Sequence, residues 1–301
     1  VVGGLDERRA TLRRAISVAL DYNEYLDIFL NGQGRAAQGP IPPGMFGAIE
    51  GEAGVNGWTD RWDPTSQRPV RRPVEEAREW LARAGWPGGR GSDGRPLALH
   101  LDHALAGDPT FVAVFDWMRG RVRRLGIELR ERGTDLSRYR DKLERGHFQM
   151  YRQGWLADYP DPENFLFLFY GPNAKLRSGG ANICNYENPE YDRLFEQMEG
   201  MRDGAARAQI ISNMVEILRR DAPMCWGFHP TLYMLSHAWH HNGKPRDMTR
   251  NTLKYQRVDV ALRARCRREW NRPVVLPVLA LEAAVLAGVG RLARRRAGAS
   301  V

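Results

Sequence analysis

The chain has 301 residues, 43% hydrophobic and 27% charged, enough to bury a substantial core in one large or two ordinary domains. The formal charge of +9 suggests a nucleic-acid partner, but residues 261–301 carry nine arginines against Glu269 and Glu282. The excess belongs to the tail, and the body lacks the spread basic face that binding to nucleic acid needs, so no nucleic-acid partner is expected. Cys184, Cys225 and Cys266 are too few and too far apart for a zinc motif and demand no disulfide.

In chain order, residues 7–22 predict an amphipathic helix with Leu12, Ala15, Ile16, Ala19 and Leu20 on one face and Asp6 as N-cap. A shorter helix, Glu24–Leu30, stops at Asn31-Gly32. From Gln33 to Arg72 glycine and proline dominate, and Gly39-Pro40-Ile41-Pro42-Pro43-Gly44 predicts an extended, polyproline-like path. Val74–Ala84 is a helix opened by Pro73 and ended by Gly85. Leu97, Leu99 and Leu101 alternate with polar or small neighbours as a half-buried strand. Asp108-Pro109 then starts a helix running to Leu125, and Ile127–Arg132 is a second strand. Strand, helix and strand at this spacing fit a right-handed parallel crossover, so an α/β lobe is expected. Thr134 or Asp135 caps a helix to Leu143, Pro189–Glu199 and Gly204–Arg220 are helices, and Trp226–Leu235 reads as a strand.

Residues 146–170 hold eight aromatics: Phe148, Tyr151, Trp155, Tyr159, Phe165, Phe167, Phe169 and Tyr170. The first half alternates as a strand would, and Gly154, Pro160 and Pro162 then prevent regular structure. A strand therefore delivers a loop bearing Trp155, Asp158 and Asp161, which suits a cationic, partly apolar small molecule. Aromatics at strand spacing are more often packing residues, so the residues alone favour a core.

The run Gly-Trp-Leu-Ala-Asp-Tyr-Pro-Asp-Pro-Glu-Asn-Phe at 154–165 resembles the signature of the extracellular solute-binding proteins of family 5, the dipeptide-, oligopeptide- and nickel-binding components of ABC importers. Residues 8–44, Val74–Trp86 and Asn188–Leu194 resemble the same family in the same order. The resemblance implies a type II periplasmic-binding-protein fold over 1–260, with one lobe nearly complete and the other largely missing, because the family builds that other lobe from residues upstream of these motifs. A segment near 220–260 would return to the other lobe. It also implies a binding protein that hands a small solute, a peptide or peptide-like molecule, to a permease, with no cofactor and no catalysis. Residue by residue, Asp158 stands where peptide-binding members pair with the ligand's α-amino group and Trp155 lines the pocket. Arg152 stands where some members hold a carboxylate, and Tyr159 belongs to the same site. The missing lobe predicts an exposed apolar face around Trp155 and Phe165–Tyr170.

A rival from another class is a membrane-tethered, metal-dependent hydrolase using His229, His237, His240 and His241, though Asn242-Gly243-Lys244-Pro245 breaks any helix that would align the last three. The chain opens Val-Val-Gly-Gly with no basic segment followed by an apolar one, so no secretory signal is read there. Residues 261–301 read as a basic linker followed by an apolar helix, Pro273–Gly290, with Glu282 its one charge. At 1.5 Å per residue that run covers ~27 Å, just enough for a thin bilayer core. The resulting expectation is a periplasmic body tethered to the inner membrane by its C-terminal helix.

Overall fold

The computed structural model describes residues 1–104, 107–242, 256–272 and 275–297. These fall into two compact units, Val1–Tyr233 and Met234–Val301.

In the first unit, α1 (Glu7–Ala19) starts where the Asp6 carboxylate accepts the Arg9 amide at 3.1 Å, satisfying one of the free amides of the first turn. It ends at Ala19 because Asp21 accepts the Asn23 amide and begins α2 (Tyr22–Leu30), which closes on Asn31 in the left-handed region. β1 (Gly34–Ala36) follows. The stretch 39–44 runs in bends and turns rather than along a polyproline path, with Gly39 and Pro40 buried. Beyond it comes an unanticipated hairpin, β2 (Asp60–Asp63) against β3 (Arg68–Arg71), with Asp60 opposite Arg71. Its strands are mostly charged, so no alternation of apolar residues announces them.

α3 (Val74–Arg83) buries Val74, Ala77 and Leu81, one stripe at helical spacing, in the core it shares with α1. β4 (Ala98–His103), α4 (Pro109–Arg123), β5 (Glu128–Gly133), α5 (Leu136–Glu144) and β6 (Met150–Tyr151) complete the α/β part. Asp108 caps α4, and Asp135 rather than Thr134 caps α5. The three strands are parallel in the order β5-β4-β6, with Leu99 beside Leu129 and Leu101 beside Met150. The strand-helix-strand pattern thus yields the parallel pair its spacing implied. β6 is only two residues long, because the chain leaves the edge of the sheet after Tyr151.

A second core in this unit is built from α6 (Glu163–Leu166), α8 (Pro189–Glu199) and α9 (Ala205–Asp221), with α7 (Lys175–Ser178) on the connection. Phe165–Tyr170 does not form the expected exposed face. Leu166, Leu168 and Phe169 turn inward onto Tyr191, Phe195, Met198, Met214 and Trp226, and Phe165 is buried as well, burying apolar area that the sequence pattern could not assign to a side. Arg13 and Arg14 of α1 bind the two cores. Arg13 Nε donates to the Ala222 carbonyl and Arg14 Nε to that of Arg220, each at 2.8 Å, satisfying orphan carbonyls at the end of α9. β7 (Phe228–Pro230) pairs antiparallel with β1 and stops well short of Leu235. At Gly34, opposite Pro230, φ is 145° and a Cβ would lie 2.9 Å from the His229 carbonyl oxygen, so this crossing requires glycine.

The second unit contains the ribbon β8 (His240–His241) with β9 (Arg257–Val258), then α10 (Val260–Trp270) and α11 (Val275–Ala297). Here the membrane expectation is corrected. Among the described residues no helix is long and apolar enough to cross a membrane. The described helix of the apolar run is Val275–Ala297, in which 16 residues precede Arg291. At 1.5 Å each they span ~24 Å against a hydrocarbon core of about 30 Å, and Glu282 lies within them. Neither a transmembrane helix nor an inner-membrane tether through it is retained.

Candidate ligand-binding site

β6 ends at Tyr151, and the four residues singled out from the sequence follow on the loop it delivers. Arg152 is held at the strand end: its carbonyl accepts the Tyr139 hydroxyl at 2.8 Å, and its guanidinium lies 5.8 Å from the centre of the Phe111 ring and 3.5 Å from the Tyr25 hydroxyl. It is oriented by α2 and α4, not by the loop.

The next segment has no regular structure, yet Asn164 fixes it. This residue is 3% exposed, and its Oδ1 accepts two hydrogen bonds, from Trp155 Nε1 and from the Asp158 amide, both at 3.0 Å. Trp155 also meets Phe167 edge to face, with centroids 5.4 Å apart, so the indole is half-buried in one orientation. Asp158 is exposed beyond it, Leu156 is 85% exposed, and Tyr159 is 40% exposed with its hydroxyl donating to the Glu163 carboxylate. Partial burial, aided by that donated bond, raises the Tyr159 pKa. The loop therefore leaves a carboxylate and two apolar or amphipathic side chains exposed beside a half-buried indole.

Asp161, the second carboxylate the loop offered, is otherwise engaged. Arg207 of α9 forks onto it, Nη2 to Oδ1 at 2.7 Å and Nη1 to Oδ2 at 2.9 Å, and also reaches Asp203 at 2.6 Å. Burial alone would raise the Asp161 pKa, but hydrogen bonds from Arg207 and from the Glu163 amide more than offset it and hold the carboxyl below the usual aspartate value. The loop is thus pinned at two places, by Asn164 beneath its outward arm and by Arg207 beneath its return. Both were missed from sequence. Asn164 stood within the signature run and could have been noticed there, whereas Arg207 lies 46 positions from Asp161 and no local signal connects them.

The histidines do not make a metal centre. His229 lies in β7, where burial lowers its pKa, and His237 stacks on Trp239 at 4.1 Å. His240 and His241 are neighbours on a strand and so project to opposite faces. Among the described residues no group of three or more His, Cys, Asp or Glu is placed to hold a metal ion.

Residues 7–176, more than half of the chain, match the family model of the bacterial extracellular solute-binding proteins, family 5 (middle). The chain belongs to this family. It is 26% identical over 228 residues to the oligopeptide-binding protein OppA of Bacillus subtilis, covering 76% of this chain and 37% of that protein. It is 24% identical over 220 residues to a probable D,D-dipeptide-binding periplasmic protein, DdpA, of Escherichia coli, covering 73% and 38%. Among solved structures, the DppA periplasmic binding protein of Helicobacter pylori in complex with the peptide STSA superposes with a TM-score of 0.59 at 20% identity, over 75% of this chain and 39% of that one. The murein tripeptide binding protein MppA of Escherichia coli gives 0.59 at 22%, over 77% and 41%. The fold is therefore that of the periplasmic binding proteins, and the chain spans less than half the length of these relatives. Members of family 5 bind solutes and are not enzymes.

Proposed function

We propose that this chain belongs to the substrate-binding component of an ABC importer that captures a peptide or peptide-like solute in the periplasm and delivers it to a permease. The observation that carries the reading is the signature loop. Pinned by Asn164, it holds the half-buried Trp155 and the exposed Asp158 just beyond the carboxyl end of a parallel strand, where α/β folds place their ligands. The names of the relatives, oligopeptide-, dipeptide- and tripeptide-binding, supply the solute class. In this reading Asp158 pairs with the solute's ammonium group, Trp155 and Tyr159 form the apolar wall, and Arg152 offers a fork to a carboxylate. The chain supplies one wall of a two-lobed cleft that closes by a hinge over its solute.

Calorimetry with the tripeptide Ala-Ala-Ala on the chain and on Asp158→Asn tests this. One wall buries little of a ligand, so the parent should bind only in the millimolar range. Asp158→Asn should cost about 2 kcal/mol, the lower end of the range for truncating one member of a desolvated charge pair. Equal affinities would remove Asp158 from the site. Micromolar or tighter binding by the chain alone would contradict the one-wall reading.

A further inference from the structure

The second unit carries a cluster for which solute capture has no use. α10 sets Arg263, Arg267 and Trp270 at i, i+4 and i+7, so the three share one helix face. The ribbon β8–β9 is fastened to the start of that helix: the Asp259 amide donates to the Trp239 carbonyl at 2.8 Å, and the Asp259 carboxylate caps α10 through the Leu262 amide at 2.9 Å. Trp239, 7% exposed, stacks on His237, and Trp270 closes against the pair at 5.2 and 5.6 Å. With Val258 and Asn271 these residues line a depression of about 450 Å³, within the size range of small-molecule sites.

Among the described residues no carboxylate lines this depression. Two adjacent guanidinium groups face the same opening, and among the described residues neither Arg263 nor Arg267 has an ion-pair partner. Residues 234–301 carry 14 Lys and Arg against four Asp and Glu, so the surrounding field also favours an anion. A guanidinium fork matches phosphate geometry bidentately, and a doubly charged group balances two of them. We propose that this depression binds a phosphate group through Arg263 and Arg267, with the Trp239, His237 and Trp270 rings packing the substituent that the phosphate carries. The group has two sources, free phosphate or a soluble phosphate ester, and the headgroup of an anionic phospholipid.

The test uses the full chain in two arms. One is calorimetric titration with inorganic phosphate; the other is co-sedimentation with vesicles of phosphatidylcholine, alone or mixed with phosphatidylglycerol. Saturable binding is expected in at least one arm. A phosphate response assigns a soluble ligand, and a response only to phosphatidylglycerol vesicles assigns a headgroup. In either arm Arg263→Gln with Arg267→Gln should weaken binding roughly tenfold or more, the scale of losing charge-assisted hydrogen bonds. Arg265→Gln with Arg268→Gln removes the same charge from the opposite face of α10 and should leave binding within about twofold. Absence of binding in both arms, or equal losses in the two double variants, overturns the site.

Discussion

In residues 1–233, 31 Lys and Arg stand against 32 Asp and Glu, whereas in residues 234–301 14 stand against four. Several arginines of the first region are built into the fold. Arg13 and Arg14 close the end of α9, Arg219 donates to the carbonyls of Gln38 and Gly54, and Arg207 is 3% exposed between two aspartates. Those of α10 lie on a helix that buries no residue. The difference teaches that what a guanidinium does depends on whether carbonyls and carboxylates are folded around it, which a residue count does not disclose.

The largest expected effect in this comparison is at Arg207. Arg207→Leu should destabilise the chain by about 3 kcal/mol in urea unfolding, the lower end of the range for opening a buried pair, because Asp161 and Asp203 keep some solvent. Next is Asn164→Leu, which removes the acceptor shared by Trp155 and the Asp158 amide and should cost about 1–3 kcal/mol. It should also expose the Asp158 amide to rapid hydrogen exchange, while Asn164→Asp, which keeps the oxygen, should preserve the protection. Unchanged exchange in the leucine variant would show that something other than Asn164 holds the loop.

A smaller effect concerns acid. Since the folded pKa of Asp161 lies below its usual value, the stability it draws from Arg207 is fully present above the unfolded value near 3.8 and is lost as pH falls through the lower folded value. The gap in urea midpoint between the parent and Asp161→Asn should therefore narrow over that acid window, and a gap independent of pH would show that the pair adds no ionic stabilisation. The smallest effect is at Arg265, on the solvated face of α10, where Arg265→Gln should change stability by no more than about 0.5 kcal/mol. A loss there as large as at Arg207 would erase the distinction between the two regions.

Much of the fold was legible because its signals are local. Asp6, Asp108 and Asp135 stand where caps must stand, and the apolar stripes of α1, α3, α8 and α9 repeat within a few residues. The hairpin β2–β3 was not legible, since charged strands are held by pairing with each other and not by a patterned face. Nor was the direction of Phe165–Tyr170, because an aromatic run has the same composition whether it faces a cleft or a core. The C-terminal run was apolar enough to suggest a span, but among the described residues no helix is long and apolar enough to cross a membrane.

By itself, then, the sequence determined the helices α1 to α5, α8 and α9, the parallel α/β unit and the loop carrying Arg152, Trp155, Asp158 and Tyr159, since caps, periodicity and turn residues act over a few positions of chain. Only the tertiary structure decided that Asn164 fixes that loop and that Asp161 serves Arg207 instead of facing outward with Asp158. It likewise decided that Arg13 closes a helix whose last residues lie more than 200 positions away. Those choices depend on which groups packing brings within hydrogen-bond distance and shields from water, and no local spacing encodes that.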